Sequence, residues 1–166
     1  MLYKLRTFEK LMQDMASRES IPAQEPLERL RSLSSRIISL FTCADAEGSP
    51  GAKGGDGFSL LPEEICCAVG HEALHYRSLV EEAATRACDC GGIPESVKRI
   101  HLALIEDVRS GYEHYLAAYS ELEEALCTGD ISHCSLAEAW GEQGADLIRT
   151  ASEVIEEIRS QVPVIF

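Results

Sequence analysis

The chain has 166 residues and a mass of 18.2 kDa, which is the size of one domain. Hydrophobic residues make up 45% and charged residues 26%, a globular composition that excludes an intrinsically disordered chain. The formal net charge of −13 disfavours nucleic acids and anionic lipids as partners, and no apolar run is long enough to span a membrane. We therefore expect a single domain, 1–166, without nucleic-acid or membrane partners.

Two helical segments are predicted in the first third of the chain. The first is a short N-terminal arm, 1–20, with an apolar stripe at helical spacing: Leu2, Leu5, Phe8, Met12 and Met15. Pro22 and Pro26 separate it from a second helix that runs from about Leu27 to Phe41. Because the stripe of the arm needs covering, the arm is also a candidate dimerisation element. A glycine-rich segment, 46–57, follows and predicts a flexible loop.

Three long helices are predicted in the remainder of the chain. The third helix begins at Pro62 and runs to about Cys90, the fourth runs from about Glu95 to Thr128, and the fifth from about Ser135 to Gln161. Glycine or proline residues lie at each boundary. Since short connections make successive helices antiparallel, the predicted fold is an all-α, antiparallel up-and-down bundle of four to five helices.

Each long helix carries an apolar stripe that we expect to face the core. On the third helix it is Ile65, Val69, Glu72, Tyr76, Leu79, Ala83 and Ala87. On the fourth it is Val97, Ile100, Leu104, Val108, Tyr112, Tyr115, Tyr119, Leu122 and Leu126. On the fifth it is Leu136, Trp140, Leu147, Val154 and Ile158.

The third helix contains the string His71-Glu72-Ala73-Leu74-His75, which resembles the zinc-binding motif of zincin metalloproteases. The resemblance covers five residues and implies that both histidines hold zinc while Glu72 activates a water molecule. The downstream HxxGxxH continuation is absent, and no strand is predicted that would hold a peptide substrate. A zincin-like protease is therefore only a third functional hypothesis.

Glu72 and His75 also resemble one half of the ferritin-like di-metal pattern, Glu-x-x-His facing the centre of a bundle. Glu72 interrupts an apolar stripe, so its carboxylate must be paired, metal-bound or protonated. A metal site here, for zinc or iron, would use Glu72 and His75, with His71, Glu113 and His114 as further candidate ligands. The alternative is a structural role, in which Glu72 pairs with Arg109 or a tyrosine hydroxyl.

The seven cysteines form no zinc-finger pattern, and the N-terminal residues lack the apolar core of a signal peptide. We therefore expect free thiols in a reducing, cytoplasmic location. Several should lie near one end of the bundle, where they could form a thiolate site or fill the core: Cys43, Cys66, Cys67, Cys127 and Cys134.

No catalytic triad and no nucleotide-binding glycine motif is recognisable in the sequence, so catalytic residues are not assigned. The principal hypothesis is a protein-protein interaction or adaptor module, which would use an acidic helical face or the first helix to bind a protein partner or a second copy of the chain. The alternative is a metal-binding helical bundle built around Glu72 and His75.

Overall fold

The computed structural model describes residues 24–44, 62–88 and 95–161, which form four α-helices. Helix α1 is Gln24–Ala44, α2 is Pro62–Cys88, α3 is Glu95–Thr128 and α4 is Ser132–Gln161. The prediction of an all-α helical bundle is confirmed. None of these four helices combines the length and hydropathy that a membrane crossing requires. The N-terminal arm (1–20) and the glycine-rich loop (46–57) lie outside the described residues.

The helix ends follow from local backbone chemistry. Helix α2 begins at Pro62, whose missing N–H costs nothing in the first turn of a helix. Helix α3 ends before Gly129, which has a φ of 74° and donates its N–H to the carbonyl of Ala125 at 2.8 Å. The N–H of Ser132 then donates to the Asp130 carboxylate at 3.0 Å. Because of this contact, α4 begins three residues earlier than predicted.

Successive helices run in opposite directions, as predicted. In each neighbouring helix pair, residue numbers rise along one helix as they fall along the other. Between α1 and α4 the pairs are Arg31–Glu142 and Ser34–Glu138. Between α3 and α4 they are Gly111–Gly144 and Glu121–His133, and between α2 and α3 they are Glu72–Tyr119 and Ala83–Leu104. Helix α1 lies between α2 and α4, and α3 lies opposite it. The backbones of α2 and α4 do not approach each other closely in the described ranges, so these helices occupy diagonal positions of the bundle.

The buried side chains form two clusters along the bundle axis. The larger cluster joins all four helices, and its largest fully buried members are Leu30, Ile37, Tyr115, Tyr119 and Leu122. The smaller cluster joins α2, α3 and α4 through Ala83, Leu104, Ile105, Val108, Ala151 and Ile155. The predicted core stripes of α2 and α3 supply nine of the 22 buried residues in these clusters, and Ile100 of the α3 stripe is exposed.

The predicted core stripe of α4 is wrong. Leu136 is 49% exposed, and Trp140 and Val154 are each 37% exposed, while the Ile158 side chain lies outside the described residues. The buried face of α4 is built mainly from small residues: Cys134, Ala137, Gly141, Gly144, Ala145 and Ala151. Small side chains let neighbouring helices approach α4 closely, and the Leu30 side chain fills the space above Gly141. The large apolar residues therefore lie about a quarter turn away from the core.

Candidate functional site

Glu72 lies on the inner side of α2, where it forms an ion pair with α1. Its Oε1 accepts a hydrogen bond from Arg29 Nη1 at 3.1 Å, and the two side chains are 13% and 50% exposed. The predicted pairing with Arg109 is wrong, because Arg109 binds Glu106 and Glu113 on its own helix. Glu72 Oε2 is buried and makes no hydrogen bond, so a tyrosine hydroxyl does not complete the site either.

A cluster of tyrosines lies beside Glu72. The Tyr76 ring stacks on Tyr115 and Tyr119, with centroid distances of 4.9 and 5.7 Å. Burial raises the pKa of Tyr115 to about 12. Burial also raises the pKa of Tyr76 and of Tyr119 well above the usual value, and the Glu72 carboxylate raises both further. The Tyr119 hydroxyl is buried without a hydrogen-bond partner, so this region is polar yet incompletely paired.

The two histidines of the predicted zincin-like motif are exposed on α2, while Glu72 between them points inward. The His75 ring contacts the edge of Tyr76 at a centroid distance of 5.4 Å. His71 lies one turn earlier on the same helix. The string therefore places its imidazoles and its carboxylate on different parts of the helix surface.

The candidate ligands on α3 are engaged elsewhere. Glu113 accepts a hydrogen bond from Arg109 at 3.0 Å. His114 donates from Nδ1 to the Ser110 carbonyl at 2.6 Å, and its ring contacts Trp140 of α4 at 5.3 Å. Across 24–44, 62–88 and 95–161, no three His, Cys, Asp or Glu side chains converge on a position that could hold a metal ion.

The thiols and the buried histidine have simple environments. Cys66, Cys67 and Cys127 are exposed thiols, Cys134 is a buried one, and the Cys43 side chain lies outside the described residues. Burial raises the pKa of Cys134, which keeps it a protonated core residue. His101 is also fully buried, and burial together with the charge of Arg86 lowers its pKa.

An open groove lies between α1 and α4, with a volume of about 380 Å³. Its lining is largely polar and consists of Leu27, Glu28, Arg31, Glu142, Ala145 and Asp146. Arg31 and Glu142 form an ion pair at 2.9 Å across the two helices, and Asp146 pairs with Arg149 of its own helix.

An exposed apolar surface runs along the outside of α3 and α4. We call it the hairpin face and define it by Leu136, Trp140, Leu147 and Val154 of α4 with Ala103, Ser110 and Ala117 of α3. The contacts His114–Trp140 and Glu121–His133 set the register, which places His114 level with Trp140 and Asp107 level with Leu147. Ala117 and Ser110 lie about one turn further along the outer side of α3, so small side chains of α3 border the apolar row of α4.

The hairpin that carries this face is strongly acidic. Residues 95–161, which form α3, α4 and the turn between them, contain five lysines and arginines: Lys98, Arg99, Arg109, Arg149 and Arg159. They contain 14 carboxylates, so the formal charge of the hairpin is −9. His133 donates to Glu121 at 2.6 Å, and this hydrogen bond, with the nearby acidic charges, raises the pKa of His133.

Sequence periodicity did not identify the hairpin face, because large apolar residues at helical spacing ordinarily indicate a core. The signal that was present is the second, smaller stripe of glycine and alanine on α4.

The chain was also compared with known proteins. No protein-family model matches it, and the searches of curated proteins and of solved structures found no similar one.

Proposed function

We propose that this protein is a protein-protein interaction module that binds its partner through the hairpin face. The observation that supports this proposal is the exposure of Leu136, Trp140 and Val154 on one side of α4. Single exposed apolar residues are common, but several on one helical face expose a contiguous apolar surface to water. Such a surface gains free energy when a partner covers it.

The spacing on the hairpin face suits a partner helix. Trp140, Leu147 and Val154 recur every seven residues, and so do Ala103, Ser110 and Ala117 on α3. A helix lying along the outside of α3 and α4, between these two rows, would pack its own apolar stripe as an additional bundle member. Trp140 is the expected anchor, because tryptophan is among the residues that contribute most to binding at interfaces.

Replacing Leu136 with serine should reduce partner binding by at least about tenfold, the usual effect of removing an apolar interface contact. The matched control is Leu74→Ser on α2, since Leu74 is a 63% exposed leucine away from the hairpin face. The measurement is quantitative mass spectrometry of proteins that co-purify with each variant from the source cells.

Both substitutions are at exposed positions, so the free energy of unfolding should change by no more than about 0.5 kcal/mol. A protein recovered at near-stoichiometric amounts with wild type and Leu74→Ser, but not with Leu136→Ser, would support the module. Equal recovery with all three forms would refute binding through this face.

Metal binding at Glu72 and His75 is a second candidate function, and the buried, unpartnered Glu72 Oε2 supports it. If a metal binds, elemental analysis of untagged protein should give near-stoichiometric zinc or iron, and Glu72→Ala should abolish it. If Glu72 serves only the ion pair, Glu72→Ala should change the free energy of unfolding by less than about 1 kcal/mol, because Arg29 is half exposed and remains hydrated.

Arg29→Ala distinguishes these roles further. It removes the ion-pair partner and leaves a mostly buried carboxylate, so it should cost about 2 kcal/mol, more than Glu72→Ala. Urea unfolding of both variants measures this difference. A metal content that survives Glu72→Ala would refute the metal site, and equal costs of the two variants would refute the asymmetric ion pair.

A further inference from the structure

We infer that the segment bound by the hairpin face is a basic amphipathic helix, with an apolar stripe flanked by lysine or arginine. This inference rests on the proposed function and specifies the chemistry of its partner. The hairpin face contains an apolar centre, and its surroundings are acidic. A partner that covers the centre also brings its flanking residues close to these carboxylates.

Carboxylates lie on both sides of the apolar centre. On α3, Glu121 and the exposed Glu124 follow Ala117 along the outer surface. On α4, Asp146 and Glu153 are exposed on the flank that faces away from α3. Arg149 pairs with Asp146 at 3.0 Å and His133 binds Glu121, but the 14 carboxylates of residues 95–161 outnumber their five lysines and arginines, so the hairpin keeps a negative potential. A cationic helix would therefore be attracted to the face and held in register by both flanks.

The same charges disfavour a second copy of the chain as the occupant. A symmetric dimer through the hairpin face would bring two hairpins, each of formal charge −9, against each other. The net charge of −13 on each chain would add repulsion at longer range. A neutral or acidic helix would cover the apolar centre but would add no positive charge beside the exposed Glu124 and Glu153.

Trp140 provides a direct probe of occupancy, because it is the only tryptophan in the chain and lies on the hairpin face. The full chain is titrated with a synthetic leucine-lysine amphipathic helix that lacks tryptophan. A leucine-glutamate peptide with the same apolar stripe is the charge control. We expect the lysine peptide to shift Trp140 emission to shorter wavelength, and to bind at least about tenfold more tightly than the glutamate peptide. Its affinity should fall as salt is raised.

Two pairs of variants test where the peptide binds. Leu136→Ser should weaken lysine-peptide binding about tenfold, while Leu74→Ser should not change it. The double variant Glu124→Gln/Glu153→Gln should weaken binding and reduce its salt dependence, whereas Glu81→Gln, at an exposed position of α2, should change neither.

Several outcomes would overturn the inference. These are equal binding of the two peptides, binding that Leu136→Ser leaves unchanged, and no binding of either peptide. A dimer seen by sedimentation and dissociated by Leu136→Ser would instead identify a second copy as the occupant. If partner recovery still depends on Leu136 in these cases, the interaction module stands and only the basic-helix partner fails. If recovery does not depend on Leu136, the proposed function fails first.

Discussion

Raising the pH from 10 to 11 should destabilise the folded protein by roughly 3 kcal/mol, because three buried tyrosines stay protonated only in the folded state. Burial raises the pKa of Tyr115 to about 12, and raises that of Tyr76 and Tyr119 as well. In the unfolded chain each tyrosine ionises near pH 10. The stabilisation is therefore fully present below pH 10 and is lost as the pH rises toward the folded-state pKa. Each tyrosine contributes about 1 kcal/mol between pH 10 and 11, and the slope approaches about 1.4 kcal/mol per pH unit at higher pH.

Alkaline titration that follows phenolate absorbance and helical circular dichroism together measures this effect. We expect the phenolate signal of the three tyrosines to appear only as the helices unfold, in one cooperative step. Tyr119→Phe is the control, since it keeps the ring and removes a hydroxyl that has no hydrogen-bond partner. It should lower the pH dependence of the unfolding free energy by about a third and leave stability at neutral pH unchanged or higher. Complete phenolate formation near pH 10 with intact helices would contradict the prediction.

The helix boundaries could be predicted well because they depend on local chemistry. Proline and glycine act within one or two residues of their own position, so the start of α2 at Pro62 and the end of α3 before Gly129 could be derived from the sequence. The start of α4 was less accurate. It depends on the Asp130 carboxylate accepting a hydrogen bond from Ser132, a turn contact that hydrophobic periodicity does not indicate.

The orientation of α4 could not be predicted from hydrophobicity, because two stripes compete on that helix. Hydrophobicity favours the stripe with Leu136 and Trp140, but close packing requires the stripe with Gly141 and Gly144. Which stripe faces inward depends on how near α1 and α3 approach, and this distance is a tertiary property. The apolar stripe that forms the candidate interaction surface was therefore recognised in the sequence, but it was assigned to the core.

The environment of Glu72 shows the same limit at a candidate site. Its inward position followed from helical phase, which is a property of one helix. Its partner did not, because Arg29 lies 43 residues earlier in the chain and reaches Glu72 only when α1 packs beside α2. Arg109 was the expected partner since it lies on a helix adjacent to α2, but it is bound within its own helix by Glu106 and Glu113.

Gly144→Ala should lower the free energy of unfolding by about 2 kcal/mol, whereas Gly70→Ala should raise it by up to about 1 kcal/mol. A Cβ atom at Gly144 would lie 2.9 Å from the Gly111 carbonyl oxygen and 3.2 Å from His114 Cβ, so α3 and α4 would have to move apart. At Gly70 a Cβ atom would meet nothing within 4 Å, and only the higher helix propensity of alanine acts.

Thermal and urea unfolding of the two variants make a matched comparison, because the chemical change is identical. For a chain of this size the Gly144 variant should melt roughly 4–8 °C below wild type, while the Gly70 variant should melt at or slightly above it. Because α4 carries Leu136 and Trp140, separation of α3 from α4 should also change the Trp140 emission spectrum in the Gly144 variant. If both variants were stabilised to the same extent, helix propensity alone would be acting, and the close crossing of α3 and α4 at Gly111 and Gly144 would be refuted.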